Sequence, residues 1–365
     1  MVPGSRYNTT NAFARAFPPP EYLTMPAVGI DISDYAVKHI MLGRRWPHFY
    51  LQSHGKLDIP LGVVERGEVK DMPSLVKILE RLREEKKYEY AHVSLPEEHA
   101  FLFQMELPKG TVAEMDQMVE FQLKDHIPFE AGEAVFDYSV LEERAHAYFV
   151  NVSAYPRAIA QTYISALEES GFTLLSVEIE GQATARALLS HTHLEPTIIV
   201  DVGRNQASVS MSVKGNVTFT ASIDIGGDNF TRAIARGLDV SFQEADRLKR
   251  LHGFRDTKDT SALFTTMYPV MAQLKETIHK HFLYWHRHSG VEGAHVARVV
   301  LVGGNANMAG LAEYLEATLE VPVVVGNVWT NVFSFNEYLP EMHRNESLEF
   351  ATAVGLALRS LLRSG

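Results

Sequence analysis

Ala27-Val28-Gly29-Ile30-Asp31-Ile32-Ser33-Asp34-Tyr35-Ala36-Val37-Lys38 runs from an apolar strand through an acidic turn into an alternating strand. The same figure returns as Thr197-Ile198-Ile199-Val200-Asp201-Val202-Gly203-Arg204-Asn205-Gln206-Ala207-Ser208-Val209-Ser210. Both read as strand, tight turn, strand. Small turn residues let backbone N–H groups approach a polyphosphate, and a divalent cation held through carboxylates, often with water between, offsets its charge. One such turn says little, because Asp favours turns and bonds its own backbone. Two, one in each half of the chain, point to a phosphate-binding hairpin built twice, whose copies facing each other would clamp one nucleotide.

At 365 residues the chain is too long for one compact core and suggests two lobes. With 46% hydrophobic and 22% charged residues it has an ordinary globular composition. The net charge of −11 repels phosphodiester backbones and anionic headgroups, so nucleic acid is not an expected partner. No cysteine is present, which removes disulfides, thiolate zinc sites and thiol nucleophiles together and fits a reducing compartment. No stretch reaches the roughly 18 to 20 apolar residues of a membrane span and no signal-peptide core opens the chain, so a cytoplasmic protein is expected. Residues 1–25, broken by Pro18-Pro19-Pro20, read as a flexible lead-in.

Between the two hairpins, Ser74 to Leu82 has helical spacing, Ala91 to Leu95 and Ala100 to Leu107 read as strands, and Val112 to about His126 is helical up to Ile127-Pro128. Strands at Ala134 to Leu141 and His146 to Ser153, a helix from Arg157 to Ser170 and a strand at Thr173 to Ile179 follow, and this stretch reads as a small mixed insert. After the second hairpin come a third antiparallel strand, Gly226-Gly227-Asp228 opening a helix, a second helix at Phe242 to Leu251, and a long helical stretch interrupted by Pro269. Arg298-Val299-Val300-Leu301-Val302-Gly303-Gly304-Asn305 is a buried strand feeding a Gly-Gly turn. Ligands of α/β folds sit beyond the carboxyl ends of strands, and paired glycines there let a flat group lie on the backbone; a plain tight turn has the same sequence.

This order of elements resembles the actin/Hsp70/sugar-kinase superfamily. Within it, Glu120-Phe121-Gln122-Leu123-Lys124-Asp125-His126-Ile127-Pro128-Phe129, followed by Phe136-Asp137-Tyr138-Ser139-Val140-Leu141, is similar to the PilM family of actin-like type IV pilus assembly proteins. That branch shares its repositioned insert with the FtsA cell-division family, and the resemblance covers about Val28 to Leu362. It implies an α/β, actin-like (ribonuclease H-like) two-lobe ATPase fold with a small inserted subdomain. The first lobe would be 26–107 with 331–365 returning to it, the insert 108–178, and the second lobe 179–330 with a helical part about 241–295.

The resemblance also assigns roles. Asp31 and Asp201 match the magnesium-side carboxylates, and Ser33, Asp34, Gly203 and Asn205 the two phosphate loops. Gly226 and Gly227 match a further loop pair near the phosphates. Glu244, Arg247 and Lys249 match the helix bordering adenine and ribose, and Gly303, Gly304 and Asn305 the adenosine turn. Glu178 matches an acid that orients water. The implied cofactors are ATP or ADP with Mg2+. The implied partner is the cytoplasmic N-terminal segment of a PilN-like bitopic membrane protein, docking near Phe121, Ile127 and Phe129, which read equally well as core. The protein would then be a cytoplasmic scaffold, peripheral on the inner membrane through its partners, with other pilus assembly proteins or further copies of itself bound.

One departure matters. The family pattern Asp-Ile-Gly-Ser-Ser is here Asp31-Ile32-Ser33-Asp34-Tyr35, which replaces a permissive glycine and adds negative charge. Two unit charges about 4 Å apart repel by roughly 4 kcal/mol at an effective dielectric near 20. Binding with little or no hydrolysis is therefore expected. An FtsA-like membrane tether is the alternative, although Leu348 to Leu362 reads as a core helix, and an ATP-dependent small-molecule kinase would require Glu178 to face a substrate. His279, His281, His286 and His288 are two, five, seven or nine positions apart, which is wrong for sharing a metal along a helix. No Gly-x-Ser-x-Gly, His-Glu-x-x-His or Gly-x-x-x-x-Gly-Lys motif occurs.

Overall fold

The computed structural model describes residues 25–45, 48–190, 192–288 and 295–362. The expected flexible lead-in, apart from Met25, lies outside them. The chain divides into two compact units: one holds the residues up to Ala187, Trp329–Glu341 and those from Thr352 on, and the other Leu188–Val328 with Met342–Ala351.

The first unit opens with β1 (Ala27–Ile32), buried along its whole length, and continues through β2 (Ala36–Arg45) and β3 (His48–Asp58). A small hairpin, β4 (Val64–Glu65) and β5 (Glu68–Val69), leads to α1 (Met72–Lys86) and β6 (Tyr90–Leu95). Helix α1 starts where the sequence supplies a cap: the Asp71 carboxylate accepts the Ser74 N–H, proline sits in the first turn, and Leu75, Leu79 and Leu82 bury one face.

Then come β7 (Phe101–Pro108), α2 (Val112–Leu123), β8 (Ala134–Glu143), β9 (Ala147–Pro156), α3 (Arg157–Glu169), β10 (Thr173–Ile179) and α4 (Glu180–Leu188). The main sheet has the order β10-β6-β1-β2-β3, with β1 antiparallel to β2 and parallel to β6. The insert is a separate three-stranded sheet, β7-β9-β8, covered by α2 through Met115, Val119 and Leu123. Its strands begin at Phe101, earlier than expected. Strand β10, assigned to the insert from sequence, pairs with β6 in the main sheet instead. Helix α3 likewise buries Ala160, Tyr163, Ala166 and Leu167 in the core of that sheet.

The second unit repeats the main sheet. Strands β11 (Thr197–Val202), β12 (Ala207–Val213) and β13 (Asn216–Ile223) form a meander, followed by α5 (Gly227–Leu238), α6 (Phe242–His252) and α7 (Ser261–His288). After them come β14 (Arg298–Val302), α8 (Leu311–Leu319), β15 (Val323–Val325) and α9 (Arg344–Ser347), and α10 (Ala351–Leu362) belongs to the first unit from Thr352 on. The order β13-β12-β11-β14-β15 matches β3-β2-β1-β6-β10 strand for strand, and both sheets join an antiparallel meander to two parallel strands. Helix α7 runs through Pro269 without a break in its assignment. Among the described residues no helix is long and apolar enough to cross a membrane.

Candidate functional site

Each unit places an aspartate at the end of its central strand, and both sit at the same register. Asp31 lies opposite Lys38 across the β1–β2 hairpin, and Asp201 lies opposite Ser208 across β11–β12.

At the first turn, Asp31 is buried, with 4% of its surface exposed. Lys38 Nζ lies 3.0 Å from its Oδ2 and Ser94 Oγ donates to its Oδ1 at 3.2 Å. The Ser33 amide and hydroxyl both donate to the Ala36 carbonyl, at 3.0 and 3.1 Å, and close the turn without glycine. Asp34 does not stand as an uncompensated charge: its two oxygens accept the Arg66 and Gly67 N–H groups at 3.0 and 3.1 Å. The repulsion expected from sequence is reduced because this carboxylate is already solvated by backbone. Sequence reasoning missed Lys38 and Ser94. The first was legible, since a tight turn between Ile32 and Val37 puts residues 31 and 38 opposite each other.

The second turn is built from glycines. Gly303 has φ +92, and a β-carbon there would stand 2.2 Å from Asp201 Oδ1 and 2.8 Å from Val202 N and O. Gly226 and Gly227 are as confined: a β-carbon would meet Arg204 O at 2.5 Å in one case and the Asn305 side chain at 2.3 Å in the other. Asn305 ties the pieces together, its amide donating to Val202 O at 3.1 Å and its Nδ2 to Gly203 O at 2.8 Å. Gly227 N also donates to Gly203 O (3.0 Å), and Asp228 N to Arg204 O (2.8 Å). Six of the expected residues, Asp201, Gly203, Gly226, Gly227, Gly303 and Asn305, therefore meet at one place. The Gly226 N–H is taken by the Asn229 side chain, so the Gly226-Gly227 pair shapes the turn with its own amides committed.

Three expectations change. Lys249, expected beside adenine, is 5% exposed, and its ammonium reaches Gly227 O (3.0 Å), Thr231 Oγ1 (2.8 Å) and Asp246 (3.0 Å). The first two contacts hold α6 to the start of α5 and the third lies within α6, and burial pulls its pKa down, with Asp246 opposing. Glu244 and Arg247 stay at the surface and face each other in a two-pronged pair at 2.7 and 2.8 Å. Glu178, expected to orient water, is clamped by Arg186 through both oxygens (2.5 and 2.6 Å) and by Arg359 (2.7 Å). A carboxylate so committed ties α4 and α10 to β10 through three charge-assisted hydrogen bonds.

The third change concerns docking. Ile127 is 7% exposed and belongs to the insert core, and Phe129 is half-buried edge-on to Phe101. Only Phe121 is displayed, at 70% exposure, on an α2 face shared with Glu114, Gln117, Met118 and Gln122, with Lys124 Nζ 4.3 Å above its ring.

Comparison with known proteins bears on these features. A family model described as type IV pilus assembly protein PilM matches residues 29–361. Among solved structures, a PilM-PilN type IV pilus biogenesis complex superposes with a TM-score of 0.76 at 22% identity, over 92% of this chain and 98% of that one. MreB 5 of Spiroplasma citri bound to AMPPNP gives a TM-score of 0.55 at 10% identity, over 93% of this chain and 97% of that one. The ethanolamine utilization protein EutJ of Escherichia coli (strain K12) is 26% identical over 150 residues, which is 41% of this chain and 47% of EutJ. Matches to curated relatives span from 25% to 54% of their length. With a family match over nearly its whole length, on an actin-like fold with a duplicated Asp turn, the chain belongs to the PilM family of type IV pilus assembly proteins.

Proposed function

We propose that the protein binds ATP or ADP with Mg2+ at its two Asp turns and serves the pilus assembly complex as a nucleotide-binding scaffold with weak or no hydrolysis. The observation that carries this reading is the second turn. Backbone around Asp201 is brought together by glycines at positions where a β-carbon would collide, which is the construction that lets a phosphate lie against amides. The amides of Gly227 and Asn305 are used within the turn and that of Gly303 goes to Leu348 O, and we assign phosphate contact to the loop that carries Gly203 and Asn205. Asp31 and Asp201 would hold the cation, largely through water, and the cation would offset phosphate charge. Lys38 adds a positive charge at the first turn. The weak turnover proposed here is supported by Glu178, the acid matched to a water-orienting role, which is engaged by two arginines.

The reading extends to a partner. We place the cytoplasmic N-terminal segment of a PilN-like membrane protein on the α2 face around Phe121, which would hold the protein peripherally at the inner membrane. The support is the exposed Phe121 together with the PilM-PilN composition of the similar complex. Calorimetric titration of ATP, with and without Mg2+, into the intact protein and Asp201→Ala tests the core of this proposal. Saturable binding lost in the variant is the expected result. No binding by the intact, folded protein removes the nucleotide reading.

A further inference from the structure

Asp34 breaks the family pattern of the first turn, and its carboxylate is aimed at a distant part of the chain. The two N–H groups it accepts belong to Arg66 and Gly67, the tip of the β4–β5 hairpin. Both tip residues have positive φ, 49 for Arg66 and 71 for Gly67, a conformation that a non-glycine residue keeps only where its surroundings fix it. A β-carbon on Gly67 would lie 2.5 Å from Pro96 Cβ, so the tip rests against the turn that precedes β7. The tip carbonyls then go to the two segments that flank the insert. His99 Nε2 donates to Arg66 O at 2.9 Å, two residues before β7 begins. The buried Tyr163 hydroxyl, on the helix that follows β9, donates to Gly67 O at 3.0 Å.

We propose that Asp34 is a positioning residue that couples the first Asp turn to the insert: it fixes the Arg66–Gly67 tip, and the tip holds the flanking segments through which the chain enters and leaves the insert. This rests on the nucleotide reading above. The ligand sensed is the polyphosphate of a nucleoside di- or triphosphate. An anion arriving at the Ser33–Tyr35 turn acts on the Asp34 carboxylate, whose hold on the tip is a pair of charge-assisted hydrogen bonds. Coupling of this kind is reciprocal, so whatever grips the insert changes nucleotide affinity by the same factor.

The test is hydrogen–deuterium exchange on the full chain, with and without ATP and Mg2+, for the wild type, Asp34→Ala and Asp34→Asn, with ATP calorimetry and a thermal melt on each. Without nucleotide, Asp34→Ala is expected to speed exchange about tenfold at 64–69 and 97–103 and to leave 207–223 unchanged. Asp34→Asn, which keeps one acceptor oxygen, restores most of that protection. With ATP, the wild type changes its exchange at 97–103 and 150–163, and Asp34→Ala at its own saturating ATP concentration loses that response; if Asp34→Ala no longer binds ATP, the response is read on Tyr163→Phe instead. A variant that binds ATP and still transmits the change overturns the coupling, as does a wild type that binds ATP with no change in the insert. A wild type that does not bind ATP removes the nucleotide reading and the coupling with it. Should Asp34→Ala not fold, Tyr163→Phe is the second variant: it weakens the response at 150–163 and preserves it at 97–103, and an unaltered response at both overturns the proposal.

Discussion

The two Asp turns occupy equivalent positions in two sheets of identical strand order, yet they are held by different means. The first is satisfied by side chains: Lys38 and Ser94 on Asp31, the Ser33 hydroxyl on Ala36, and Asp34 on the neighbouring hairpin. The second is satisfied by backbone brought close through Gly203, Gly226, Gly227 and Gly303, with the Asn305 and Asn229 side chains as ties. A duplicated hairpin fixes where the aspartate stands, not how the turn around it is stabilised. The side-chain solution costs little strain and carries charge pairs, whereas the backbone solution leaves no room for a β-carbon at Gly203, Gly226, Gly227 or Gly303.

The largest break in this comparison is expected from Gly303→Ala. At φ +92, and with Asp201 Oδ1 2.2 Å from the new atom, the second unit should lose about 4 kcal/mol and the Asp201 carboxylate should move. Urea unfolding followed in the second unit, with ATP calorimetry alongside, checks both effects; a loss below about 1 kcal/mol would mean the turn is looser than described.

Lys38→Met is the corresponding cut in the first unit. It leaves Asp31, whose side chain is only 6% exposed, with Ser94 alone, and about 3 kcal/mol of stability should go. The double variant Asp31→Asn/Lys38→Met should recover part of it, and a chemical-denaturation cycle over the four proteins measures the coupling.

A smaller effect separates the units by pH. His39 on β2, bonded to the Tyr88 hydroxyl at 3.1 Å and 1% exposed, has its pKa lowered from 6.5 to about 4 by burial, with Lys86 and His54 adding to it. The equivalent residue in the second sheet is Val209. The unfolded chain takes up this proton near pH 6.5 and the folded chain only near 4, so stability is lost as pH falls through that window. By pH 5 the loss is about 2 kcal/mol, confined to the first unit. Stability measured between pH 7 and 5 should slope in the wild type and flatten in His39→Gln; equal slopes would assign the acid sensitivity elsewhere.

The smallest effect is expected from Ser33→Gly, which moves the first turn toward the glycine solution. It removes one hydroxyl bond to Ala36 and frees the backbone, for less than about 1 kcal/mol. Differential scanning calorimetry registers it as a shift of a few degrees at most, and a larger fall would show that the Ser33 hydroxyl holds more than its own turn.

Much of this was legible because period-2 strands with an Asp at the same offset leave a direct mark in sequence, as do glycines that have no packing role. The second turn was recovered nearly whole from Gly203, Gly226-Gly227 and Gly303-Gly304-Asn305. What failed depended on partners distant in the chain. Glu178 was matched to a water-orienting acid, and nothing local announces Arg186 and Arg359, eight and 181 positions away. Lys249 was matched to the helix bordering adenine and ribose, but Gly227 and Thr231 draw its ammonium inward. Ile127 and Phe121 carry equal weight as apolar residues of one motif, and only the packing of α2 on β7-β9-β8 sends one to the core and the other to solvent. Strand β10 was recognised as a strand, but its pairing with β6 is a tertiary choice that its composition does not encode.

The register of the insert has an evolutionary consequence. Phe101, where its first strand begins, lies directly opposite Ala154 near the end of its last full strand. Cross-strand neighbours have Cα atoms about 5 Å apart, so the excursion leaves and rejoins the host at nearly one point. A module attached this way can be exchanged, enlarged or deleted behind a two- or three-residue bridge without shifting any pairing of the main sheet, at a loop-closure cost that grows only slowly with length. New binding specificity can therefore be acquired by replacing the cassette while the frame that carries both aspartates is inherited unchanged.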